Sequence, residues 1–174
     1  KNLYGPVMRE KIVITDKACF GCPCPCGKYS RLKKYKSHLE GPEYETIGLF
    51  GANLGISDLQ DVGESNRLCD EYGIDEHGAA SAISMAMELY ERGILKKEAV
   101  DGEELVFGNK EAFLRLLEKI VYRKGFGDLL AEGTRIMGQR LHAEDYAIHI
   151  KGQEVDASDP RSLVTRALTY CVST

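Results

Sequence analysis

Four cysteines fall within eight residues of this chain, at Cys19, Cys22, Cys24 and Cys26, in the run Ala18-Cys19-Phe20-Gly21-Cys22-Pro23-Cys24-Pro25-Cys26-Gly27. Thiols at that density in one tight loop can wrap a small inorganic core, and soft thiolates select zinc, copper(I) or iron–sulfur centres. A disulfide framework would instead spread its cysteines along the chain to close loops. A structural zinc knot normally draws on two separated ligand pairs, but His38 stands alone and no second Cys or His pair follows at a suitable spacing. Iron–sulfur is therefore the preferred reading, with zinc and plain reactive thiols as the alternatives. Cys19, Cys22 and Cys26 form C-x-x-C-x-x-x-C, which leaves Cys24 spare and calls for a fourth ligand elsewhere.

Composition narrows the class. The chain has 174 residues, 43% of them hydrophobic, and a net charge of -4 with acidic and basic residues mixed along its length. That is enough apolar content for a core, and the charge pattern argues against a nucleic-acid or membrane-surface binder. No apolar run is long enough to span a bilayer. The start, Lys1 to Glu10, has no signal-peptide core and no initial Met, and Cys171 to Thr174 falls in a helical pattern. The chain is expected to be an internal fragment of a longer, cytoplasmic protein.

The expected fold is all-α: mainly helical, with a short irregular N-terminal segment and a Cys-rich loop. Residues 1–28 are expected to carry that segment and loop, and residues 29–174 a helical domain. Lys11 to Thr15 reads as a short strand. Ser57 is the expected N-cap of a first helix with Leu59, Val62, Cys69 and Tyr72 on one face and Gly73 past its end. Asp75 is expected to cap a second helix, burying Ile83, Met87 and Tyr90 and stopping at Gly93. Asn109 caps a third, with Phe113, Leu116, Leu117 and Ile120 inward. Asp128 is expected to start a fourth through Leu129, Leu130, Ile136, Met137 and Leu141. Asp159-Pro160 is expected to open a fifth through Leu163, Ala167 and Tyr170. Only Tyr146 to Ile150 alternates like a strand thereafter.

Several blocks in order resemble the aldehyde ferredoxin oxidoreductase family. They are Cys19-Phe20-Gly21-Cys22-Pro23 with Cys26-Gly27-Lys28; Gly41-Pro42-Glu43-Tyr44-Glu45-Thr46; Asn66 to Asp75, containing Asp70-Glu71-Tyr72-Gly73-Ile74-Asp75; Lys124 to Gly133; Lys151-Gly152; and Asp159-Pro160-Arg161. The resemblance covers nearly the whole chain from Cys19 and implies the family's C-terminal helical domains. It implies Cys19, Cys22 and Cys26 as three ligands of a [4Fe–4S] cluster. Asp70, Gly73 and Asp75 would form a motif contacting a tungsten (or molybdenum) bis-pterin, and Glu43 or Glu45 would be a general base. The implied reaction is oxidation of an aldehyde to a carboxylic acid, with electrons passing through the cluster to ferredoxin. An N-terminal pterin-binding domain and a C-terminal remainder would lie outside this chain, so the fragment alone is expected to be inactive. A homodimer is compatible with the family. Glu64-x-x-Arg67 stands where some members have Glu-x-x-His and an interfacial iron; Arg cannot be that ligand, so no such iron is expected. His77 departs from the small and hydroxyl residues usual after the motif; an altered substrate pocket is one explanation, and a first-turn helix position is the plainer one. The basic run Lys28, Arg31, Lys33, Lys34, Lys36 suits an acidic ferredoxin or a solvated face.

Three rivals remain at this level. They are the tungsten subunit of an aromatic-ring (benzoyl-CoA type) reductase, a non-catalytic iron–sulfur electron-transfer module, and a zinc-stabilised helical domain.

Overall fold

The computed structural model describes residues 2–159 and 162–172. Its centre is the helix α4 (Glu76–Glu91), whose run of alanines with Ile83, Met85, Met87 and Leu89 is buried on several sides at once. Small side chains let neighbours approach closely, and the larger ones fill the gaps. Around it pack α5 (Lys110–Val121), α6 (Phe126–Leu130) and α7 (Gly133–Leu141), and α3 (Leu59–Tyr72) packs in turn on α5. The short helix α2 (Tyr44–Thr46) runs on into a π-helical stretch, Ile47–Asn53, that carries Phe50 into the same core. Phe50 and Phe113 meet there with ring centroids 5.1 Å apart. Each such large apolar side chain, fully buried, contributes about 1.5–3 kcal/mol.

The caps follow local chemistry. Asp75 accepts from Gly78 N at 2.5 Å and opens α4; Asn109 accepts from Ala112 N at 3.2 Å and opens α5. Gly73 ends α3 in the left-handed region at φ 66°, which glycine adopts without a Cβ penalty. The first cap is Asp58, one residue after Ser57, because its carboxylate reaches Gln60 N at 2.9 Å. Asp128 does not start a helix: α6 begins at Phe126, and the chain breaks at Ala131-Glu132 before α7. The reason is close packing. A Cβ on Gly127 would lie 2.3 Å from the Lys119 carbonyl carbon, so α6 sits against the end of α5 at a distance only glycine permits.

The fold is mainly helical, but not all-α. A helix α1 (Gly5–Lys11) is followed by an antiparallel sheet β1-β2-β3 made of Val13–Lys17, Gly27–Leu32 and Ser37–Glu40. Lys17 pairs with Gly27, so the sheet pinches the cysteine loop, residues 18–26, at its base. Leu32 packs against Gly63 of α3, where an added Cβ would come within 2.6 Å of it. Asp61, with a side chain 2% exposed, fastens the β2–β3 turn to α3: it accepts from Tyr35 and Lys34 and pairs with Lys110 at 3.5 Å. Although its burial opposes ionisation, the Lys34 and Tyr35 hydrogen bonds hold its carboxyl below the usual range.

The expected strand at 146–150 shrinks to His149–Ile150 (β4), paired with Gln153–Glu154 (β5). The last helix, α8 (Val164–Val172), has no buried residue. Its described ties are polar, such as Asp156 N to Tyr170 OH and the Arg166–Asp156 ion pair, so the inward face expected from its periodicity is not buried. Pro160 and Arg161, with the cap expected there, lie outside the described residues. No helix among the described residues is long and apolar enough to cross a membrane.

Candidate cluster loop and cofactor face

The cysteine loop is a nine-residue excursion, residues 18–26, between two paired strands. Cys19, Cys22, Cys24 and Cys26 are all exposed and none is in a disulfide. Cys24 N donates to Cys22 Sγ at 3.4 Å, an N–H···S contact of the kind that tunes thiolate clusters. Among the described residues no three His, Cys, Asp or Glu side chains converge at metal-binding distance. In donor chemistry the loop suits an iron–sulfur cluster: soft, unpaired, accessible thiols and irregular backbone donors. Cys69 is different in kind. It is buried, and desolvation pushes its thiol well up, so it stays a protonated core side chain.

Lys28 anchors the loop. Its Nζ donates to the carbonyls of Cys26 at 2.7 Å and Gly27 at 3.2 Å and pairs with Asp16 at 3.1 Å. The hydrogen bonds of Arg9 and Lys28 hold Asp16 below its usual range. Lys34 is likewise engaged, at Asp61. Of the basic run, two members thus have internal partners; Arg31, Lys33 and Lys36 are exposed. The sequence placed Lys28 in the cluster-loop block and in the basic run, but gave it no anchoring role. Its position directly after Cys26-Gly27 was the available signal.

Glu43 and Glu45 do not share a face. The segment turns helical at Tyr44, so the two side chains diverge. Glu43 lies at the foot of the cysteine loop, where its Oε1 is 3.3 Å from where a Cβ on Gly27 would stand. With Cys26, Lys28 and Tyr44 it borders an open cavity of about 840 Å³. Glu45 points the other way. Its Oε2 accepts from Ala157 N at 2.6 Å and lies 3.8 Å from His77 Nε2. His77 Nδ1 in turn lies 3.5 Å from Asp75 Oδ1. Next to this pair Thr46 donates to Glu76 at 2.6 Å, and desolvation pushes the Glu76 carboxyl up despite that hydrogen bond.

Asp70 and Asp75 are both exposed and flank the left-handed turn at Gly73. Asn66 Nδ2 donates to Asp70 at 2.9 Å, and desolvation raises the Asp70 carboxyl. Two carboxylates on either side of a tight glycine turn fit the N–H-rich edge of a pterin, which needs acceptors. Asp75 also caps α4, so the motif and the helix start are one piece of structure. Arg67 grips Glu64 through two N–H groups, at 2.9 and 2.6 Å, and also pairs with Glu71.

Residues 1–174 match the family model described as "Aldehyde ferredoxin oxidoreductase, domains 2 & 3", and the chain belongs to that family of tungsten-containing oxidoreductases. It is 41% identical over 172 residues to the tungsten-containing aldehyde ferredoxin oxidoreductase of Pyrococcus abyssi, covering 97% of this chain and 28% of that protein. An "Aliphatic sulfonate oxidoreductase, WOR-like subunit" of Pyrococcus furiosus is 38% identical over 167 residues, covering 90% of this chain and 27% of its own length. Among solved structures, the active-site complex BamBC of benzoyl coenzyme A reductase with 1,5-dienoyl-CoA superposes with a TM-score of 0.76 at 32% identity. That match covers 94% of this chain and 25% of that one. The chain thus spans little more than a quarter of the length of these relatives.

Proposed function

We propose that the whole protein containing this chain oxidises aldehydes to carboxylic acids and passes the electrons to ferredoxin in the cytoplasm. The observation that carries the reading is the single turn Glu43-Tyr44-Glu45. Glu43 lies against the cysteine loop on one side and Glu45 faces His77, the neighbour of Asp75, on the other, in a chain whose relatives are tungsten aldehyde ferredoxin oxidoreductases. The reaction converts aldehyde and water to carboxylic acid, two protons and two electrons. A bound tungsten (or molybdenum) bis-pterin supplies the two-electron oxidation, and a [4Fe–4S] cluster supplies one-electron transfer.

The chain's own residues do the rest. Cys19, Cys22 and Cys26 provide thiolates to the cluster, with a fourth ligand from outside this chain. Lys28 holds the loop's C-terminal end. Asp70 and Asp75 accept hydrogen bonds from the pterin, with Gly73 letting the chain turn between them. Glu45 is the better placed base of the two glutamates, because it lies on the Asp75 side. There it takes a proton from the attacking water. Glu43 instead buttresses the foot of the cysteine loop.

The test uses the full-length protein, purified without oxygen. Added aldehydes should drive reduction of ferredoxin, with one equivalent of acid formed per two electrons. The structural likeness to the benzoyl-CoA reductase complex makes aromatic-ring chemistry the second reading. Conversion of a dienoyl-CoA or benzoyl-CoA with no turnover of any aldehyde would replace the first reading by the second.

A further inference from the structure

The first turn of α4 carries a side chain that the proposed reaction has not used. His77 stands two residues into the helix, its side chain 35% exposed, between Glu45 and Asp75. Its Nε2 faces Glu45 Oε2 and its Nδ1 faces Asp75 Oδ1, so one imidazole links the candidate base to the candidate pterin ligand. At 3.8 and 3.5 Å these contacts are longer than hydrogen bonds, as catalytic contacts commonly are before substrate and cofactor tighten the site. Glu45 Oε2 is already fixed by Ala157 N, and Oε1 has no hydrogen-bond partner among the described residues. A donor at His77 would therefore complete the hold on Oε2 and leave Oε1 to meet water.

We propose that His77 is a positioning residue for Glu45: its imidazole fixes the carboxylate between α2 and α4 in the orientation that takes the proton. The proposal rests on the reading of Glu45 as the base. The groups around the imidazole are consistent with a donor in that place. Asp75 and Glu76 share its turn, and Glu45 faces it from α2. Glu154, Asp156 and Tyr170 line the same cavity of about 470 Å³ from the β5 segment and α8. Every carboxylate there is an acceptor, and the imidazole can turn an N–H donor toward Glu45 Oε2.

The experiment compares Glu45→Gln, His77→Leu, His77→Gln and the double variant Glu45→Gln/His77→Leu in the full-length enzyme. All rates are normalised to bound tungsten. His77→Leu should lower kcat by about tenfold to a hundredfold, as loss of an orienting partner typically does, with KM and cofactor content unchanged. His77→Gln keeps an N–H donor near Nε2 and should recover most of that loss. The double variant should be no slower than Glu45→Gln alone, since His77 acts through Glu45. Wild-type kcat in His77→Leu overturns the proposal. So does a His77→Gln variant as slow as His77→Leu, or a double variant whose losses multiply. If His77→Leu fails to load cofactor, His77→Asn takes its place, because its shorter amide stops short of Glu45; equal rates for Asn and Gln then overturn the proposal. A near wild-type Glu45→Gln instead removes the base assignment itself, and the two failures are thereby told apart.

Discussion

Replacing Cys19, Cys22 or Cys26 by serine in the full-length protein is expected to abolish its iron and sulfide, and with them ferredoxin reduction, while Cys24→Ser keeps all three. Serine is nearly the size of cysteine but a hard, weakly acidic donor, so it does not replace a soft thiolate at iron. The contrast with Cys24 is the informative part, because all four cysteines are exposed on the same loop and none is in a disulfide. Folding is thus expected to survive each substitution: the loop emerges from a paired strand base at Lys17 and Gly27 and carries no core residue. Iron and sulfide per protein, with the electron paramagnetic resonance of the reduced cluster, give the result. Loss of iron in Cys24→Ser with retention in Cys26→Ser would reverse the ligand assignment.

Glu45→Gln is expected to lower kcat per bound tungsten by roughly a hundredfold to ten-thousandfold, the usual loss for a general base, whereas Glu43→Gln should change it little. Glutamine keeps the shape and can still accept from Ala157 N, so the loop at residues 155–158 stays in place. What it loses is the ability to take a proton. Glu43 serves as the internal control, since it is two residues away in sequence but faces the cysteine loop. A large rate loss in Glu43→Gln with an active Glu45→Gln would exchange their roles.

The helical part of this chain was legible wherever periodicity and a cap agreed. Asp75 and Asn109 announced α4 and α5 because a short acceptor stood just before a regular apolar stripe, and the same residues bond the first-turn N–H groups. The sheet was hidden for a physical reason. In β2 the two inward positions are Ser30 and Leu32, so a buried hydroxyl breaks the apolar alternation; Ser30 is buried because its Oγ donates to Gly41 O at 2.5 Å. β3 offers only Leu39. The break between α6 and α7 follows from a contact between Gly127 and Lys119 that no local pattern encodes. At the candidate site, the sequence named the cysteines, the two glutamates and the aspartates by their motifs. It left Glu43 and Glu45 as equal candidates for the base, and the helical turn at Tyr44 sends the two side chains apart. His77 looked like a departure from pattern with a simple helical explanation; only the folded chain puts it between Glu45 and Asp75.

The most direct measurement is the cofactor content of the full-length protein purified without oxygen: tungsten or molybdenum, iron, acid-labile sulfide, zinc and released pterin, each per polypeptide. The account predicts one tungsten or molybdenum with two pterins, together with iron and sulfide in equal amounts at one cubane cluster per chain. Iron and sulfide without pterin or tungsten would contradict it in favour of a simple electron-transfer module, and zinc alone would contradict it altogether.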